Sequence, residues 1–85
     1  MSSIRRAVRE GWTLVKVGHD VPDNFSAHLI SRTRHRNLLD WAMKNRTNQV
    51  KATLKATATY HGPRFESMFA FENEADASMF SLKWK

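Results

Sequence analysis

Three arginines and a histidine fall within residues 31–37, "SRTRHRN", with Leu29 and Ile30 before them and Leu38 and Leu39 after. A guanidinium presents paired N–H donors that match two phosphate oxygens. Arg32, Arg34 and Arg36, with His35 among them, are therefore candidate contacts for an anionic backbone. The conformation of the stretch decides the matter. Extended, it projects the three arginines to one side. Helical, it spreads them over about 200° at the rotation of an α-helix, and they become a solvated patch whose stems cover apolar surface. Further candidate contacts are Arg5, Arg6 and Arg9 near the N-terminus and Lys51 and Lys55 downstream.

Other chemistry is thinly represented. The histidines occupy positions 19, 28, 35 and 61, with none of the short spacings that hold a metal. "GHD" at 18–20 and "YHGPR" at 60–64 bring His19, His61 and Arg64 into a set that imitates the acid–base pair of a small ribonuclease. Turns are rich in such residues anyway. Glu66, Glu72, Glu74 and Asp76 are hard-cation ligands by type, yet nothing resembles a calcium loop. Glycine-rich phosphate cradles are absent. The expectation is a protein that is not an enzyme, with no catalytic residue, no metal and no cofactor assigned.

Composition narrows the setting. The 85 residues suit one domain, and the absence of cysteine excludes disulfides and thiolate metal sites. Five Phe, three Trp and one Tyr within a 41% hydrophobic chain supply one core. Charge is uneven. Residues 1–64 carry twelve Lys/Arg against four Asp/Glu, or +8, whereas residues 65–85 carry two against four, or −2. That asymmetry points to an anionic partner. No secretory h-region or membrane-spanning run is evident, so a cytoplasmic location away from membranes is expected.

These side chains need elements to hold them. Residues 3–10 read as a short helix stopped by Gly11, or as a loose basic arm. "WTLVKV" at 12–17 reads as a strand, apolar on both faces as a central strand would be. "GHDVPDN" at 18–24 is turn material. Leu38, Leu39, Ala42 and Met43 form a helical stripe, predicting a helix over at least 36–45 with Asn37 or Thr33 as its cap.

Residues 49–60 alternate strictly: Val50, Ala52, Leu54, Ala56, Ala58 and Tyr60 against Gln49, Lys51, Thr53, Lys55, Thr57 and Thr59. Period two means a long strand with one buried face, and the alanines imply close approach of a helix. "HGPR" at 61–64 is a turn, and residues 65–71 alternate again with Phe65, Phe69 and Phe71 on one side. If Tyr60 pairs with Phe65, then Ala56 faces Phe69, Leu54 faces Phe71, and every phenylalanine lies on the alanine face. Asn73 with Asp76 three later marks a helix start, a short helix covers 75–80, and Phe80, Leu82 and Trp84 alternate as a last strand. The order matches an α+β ferredoxin-like α/β plait or a related sandwich: an antiparallel sheet with a 49–60/65–71 hairpin and one main helix near 36–45.

The plait hosts many RNA-binding modules, which stack bases on exposed aromatics. Here the register buries the phenylalanines, and only Trp12 is left as a platform. Phosphate contact without base reading is the favoured nucleic-acid mode. The alternative is a protein interface, heteromeric or homo-oligomeric, built on residues 50–60 as an edge strand or on Trp41 at the rim of the stripe.

"FAFENEADASMFSLKW" at 69–84 resembles the F-x-F-E…D-A-x-x-F-x-L-x-W endings of some short phage-encoded proteins of unknown function. The resemblance covers about a fifth of the chain by the count of that segment. It implies a viral accessory protein acting on a host or viral macromolecule. The expectation is a small basic accessory protein binding a nucleic-acid backbone or an acidic protein surface.

Overall fold

A computed structural model describes residues 3–19, 26–60 and 62–84. The elements run α1 (Ser3–Arg9), β1 (Thr13–His19), α2 (Ala27–Asn45), β2 (Val50–Thr59), β3 (Gly62–Phe71) and α3 (Glu74–Trp84). The three strands form one antiparallel sheet in the order β1-β3-β2. β1 and β2 both oppose β3, so they run parallel to each other and α2 joins them across the central strand. This is the split βαβ arrangement of the plait. No described helix is long and apolar enough to cross a membrane.

α2 and α3 cover one sheet face. There Phe69 and Phe71 of β3 meet Phe80 of α3 at centroid distances of 4.7 and 5.3 Å, with Val15, Leu38, Ala42 and Ala77 closing the cluster. α1 covers one end of the other face, burying Ile4 and Ala7 against Ala70. The N-terminal residues are thus a helix rather than a loose arm, and Gly11, at φ +97°, ends that turn.

β1 is an edge strand, against the expectation that its apolar character marks a central one. Its two faces are apolar because both are covered: Val15 lies in the α2/α3 cluster and Leu14 packs against the α1 cluster. Residues 20–25, most of the expected 18–24 turn, lie outside the described residues, as does His61, while Gly18 and His19 extend β1.

α2 starts at Ala27, nine residues before the predicted minimum. Residues 31–36 are therefore helical, which overturns the extended comb of arginines. The hydroxyls of Ser31 and of Thr33, one of the two expected caps, bond back into the helix. Ser31 Oγ donates to the His28 carbonyl and Thr33 Oγ1 to the Leu29 carbonyl. Ala27 and Ser31, both buried and four apart, then supply the small residues by which the first turns of α2 approach the sheet.

The hairpin keeps the predicted faces with a different register. Ala56 pairs with Phe65, Leu54 with Ser67, Ala52 with Phe69 and Val50 with Phe71, a shift of four along β2. The shift arises because Gly62, Pro63 and Arg64 belong to β3 rather than to the turn, and the last pair is Thr59 with Gly62. Pro63 lies beyond the last β1 partner, Phe65, where β3 has only one neighbour and a missing donor is tolerated. Four is even, so no side chain changes face. Ala56 and Ala58 are nevertheless exposed, because the helix that the alanines implied passes over Ala52 and not over the end of the hairpin.

The expected last strand is absent, and α3 runs unbroken to Trp84. Ala77, Phe80 and Trp84 fall on one helical face and pack into the core, while Leu82 is 88% exposed. Asn73 caps this helix as predicted, its Oδ1 accepting the Ala75 N–H at 2.7 Å. Asp76 does not reach back as a capping box would. Its buried carboxylate accepts the backbone N–H groups of Thr47 and Asn48 at 2.8 and 3.1 Å and the Thr47 hydroxyl, pinning the α2–β2 connection to α3.

Candidate anion-binding surfaces

α1 and β2 bring together cations that are far apart in the chain. Arg5 and Arg9, four apart and so on one face of α1, line a groove of about 530 Å³ with Lys55 of β2. Leu14, Met68 and Val8 contribute apolar lining. Lys51, on the same side of β2, places its Nζ 5.0 Å from the ring centroid of Trp12, a cation–π contact that holds the lysine at the margin of the α1 cluster. Trp12 is half-buried there. Arg6 is exposed on α1 and does not line the groove.

The strand register adds two cations that the sequence did not mark as anion contacts, Lys16 and Arg64, the latter read there only beside His19 and His61. Lys16 lies across from Met68, which lies across from Thr53, and Arg64 lies across from Thr57. Both therefore stand on the sheet face that carries Lys51 and Lys55. Glu66, paired with Lys55, is the one β-strand carboxylate on that side among the described residues. The signal for Lys16 was its place between Val15 and Val17 in a period-two strand.

The arginines of α2 divide as a helix requires. Arg32 and Arg36, one turn apart, line a second groove of about 560 Å³ between α2 and β2, with His35, Thr33, Leu39 and Leu54. Arg34 lies on another side of the helix, where its charge acts on His19. No carboxylate lines this groove among the described residues.

Beneath the second groove lies a polar cluster inside the core. The hydroxyl of Ser67, which has no solvent exposure, is 2.7 Å from His35 Nδ1 and 2.5 Å from His19 Nε2. The His35 ring also stacks on Phe69 at 5.6 Å. Burial lowers the pKa of both histidines, and for His19 the charges of His35 and Arg34 lower it further. Both shifts favour the neutral imidazole at neutral pH. His19 is thus a core-facing partner of Ser67 and not half of a turn-borne acid–base pair, and the other histidine of that pair, His61, lies outside the described residues. Ser67 carried no signal in the sequence, because its role depends on two residues brought from β1 and α2.

The remaining candidates are structural in their placement. Trp41 is half-buried between α2 and α3, edge-on to Phe80 at 6.0 Å and to Trp84 at 6.4 Å. It therefore folds over the margin of the core. Among the described residues no three His, Asp or Glu side chains cluster as a metal site would need. Asp76 is engaged by the 47–48 backbone, and Glu72 accepts the Gln49 N–H at 3.3 Å. Burial raises the Asp76 pKa. The Thr47 and Asn48 N–H groups, the Thr47 hydroxyl and Arg46 together outweigh it and hold the carboxyl below its ordinary range.

No family model matches the chain, and neither a curated protein nor a solved structure does.

Proposed function

We propose that this domain binds the phosphate backbone of a nucleic acid on the sheet face beside α1, without reading bases. The observation that carries this reading is the convergence of Arg5, Arg9 and Lys55 on one groove, with Lys51 at its margin. Lys16 and Arg64 extend the same face. Several cations, with Glu66 the one β-strand carboxylate among them in the described residues, give the salt-sensitive, sequence-independent affinity of phosphate contact. Base stacking is not supported, because Phe65, Phe69 and Phe71 are buried and Trp12 is half-covered by α1 and Lys51. The role is that of a binding module rather than an enzyme.

Titration of a labelled single strand and a duplex at low and high salt tests this. Steep weakening with salt supports it. Absence of binding at low salt contradicts it. Capture of an acidic protein that survives nuclease treatment would transfer the same cations to a protein surface.

A second reading rests on a separate observation. β2 is an edge strand whose distal half is exposed on both faces, with Tyr60 98% exposed at its tip. Such an edge is suited to strand addition by a protein partner.

A further inference from the structure

The groove between α2 and β2 lies over the other face of the sheet, and its chemistry is set from below. The Ser67 hydroxyl has one proton to give, and imidazole nitrogens stand on two sides of it. One imidazole must donate to the oxygen while the other accepts from it. Two directions satisfy this, and tautomer chemistry chooses between them. Neutral histidine prefers to carry its proton on Nε2. His19 engages the serine through Nε2 and His35 through Nδ1. A relay in which His19 Nε2–H donates to Ser67 Oγ, and Ser67 O–H donates to His35 Nδ1, leaves both rings in the preferred form. The reverse relay would need the disfavoured Nδ1–H form on both rings.

The consequence reaches the surface. With Nδ1 occupied as an acceptor, the one N–H of neutral His35 is on Nε2, on the far side of the ring from the buried serine. His35 also lines the groove that Arg32 and Arg36 flank. We infer that this groove is a phosphate-binding site, in which Arg32 and Arg36 supply charge and His35 Nε2–H, oriented by Ser67 and His19, supplies a neutral donor. Ser67 and His19 are positioning residues that hold the ring and its tautomer, as outer partners do for histidine ligands elsewhere. Leu39 and Leu54 provide apolar lining that raises the strength of the polar contacts beside them. The site uses other cations than the α1 groove, from α2 rather than α1 and β2, and the two linings share only Leu54 among the described residues.

The test is an imidazole ¹H–¹⁵N spectrum of the whole labelled protein, titrated with inorganic phosphate and then pyrophosphate. His35 is expected in the Nε2–H form before any addition, with its Nε2 resonance moving on titration. Arg32→Gln with Arg36→Gln should weaken the titration at least tenfold, while Arg5→Gln with Arg9→Gln leaves it unchanged. Ser67→Ala should give His35 a mixed tautomer. If that variant does not fold, the wild-type tautomer carries the same information. A 5′-phosphorylated dinucleotide run against its 5′-hydroxyl counterpart distinguishes a terminal phosphate from an internal diester as the natural group. An Nδ1–H tautomer on His35, a resonance that neither anion moves, or equal binding by the double-arginine variant would overturn the inference.

Discussion

His35 and Ser67 are 32 positions apart in sequence, and the Nδ1 of one lies 2.7 Å from the hydroxyl of the other. His19 meets the same oxygen from β1. A hydroxyl that has no exposure can serve one donor and one acceptor among these rings, so the packing of α2 over the sheet depends on how many protons the rings carry.

The first prediction is a loss of stability in mild acid. The titratable and charged groups at this hydroxyl are His19 from β1 and His35 with Arg34 from α2. Both histidine pKa values are lowered by folding, so the unfolded chain binds more protons wherever the two states differ. Stability is therefore fully present above the unfolded value of about 6.5 and declines as pH falls below it through the lowered folded values. One extra proton, taken by His19 at Nδ1, leaves the relay as it stands; a second, on His35 Nδ1, sets a donor N–H on both sides of the hydroxyl and leaves its own proton without an acceptor among these rings. Urea midpoints measured from pH 8 to 5 should drop across this window, and His19→Gln with His35→Gln should flatten the profile. A midpoint that is independent of pH in the wild type would contradict the neutral pair.

Asp76→Ala should cost about 2–3 kcal/mol, the scale of hydrogen bonds to a charged acceptor, because it strips the Thr47 and Asn48 N–H groups of their partner. Asp76→Asn should cost less, since an amide oxygen still accepts one of them. Urea unfolding of the two variants measures the difference, and equal stability of Asp76→Ala and wild type would refute the pinning role.

Phe69→Ala should cost roughly 3–5 kcal/mol, the range for deleting a buried aromatic ring. The ring has no exposure and touches Phe71, Phe80 and His35. Chemical denaturation checks this, and a variant as stable as the wild type would reopen the sheet face to a stacking role.

What the chain disclosed beforehand follows its periodicities. The alternation over residues 49–60 made β2 and its faces legible, and parity protected those faces when the register moved by four. Phe80, Leu82 and Trp84 were ambiguous in principle, since Phe80 and Trp84 are two strand periods apart and also one helical turn apart. Asn73 at the cap and the fit of Ala77 with Phe80 decided for the helix. Thr33 looks like a cap residue, yet its hydroxyl bonds to the preceding turn, as does that of Ser31, so the start of α2 was hidden. Arg5, Arg9 and Lys55 were legible as cations. Their convergence was not, because it depends on which sheet face α1 covers, and short helices carry little signal for that.

The central claim is that cations gathered by α1 and β2 contact phosphate. The measurement that tests it most directly is the salt dependence of single-strand binding by the wild type and by the Arg5→Gln, Arg9→Gln, Lys55→Gln triple variant, read by fluorescence anisotropy. Each phosphate contact to a single strand contributes about 0.7 to the slope of log affinity against log salt. The triple variant should keep its fold and lose about 2 from that slope. Equal slopes for the two proteins, or a wild type that does not bind at low salt, would contradict it.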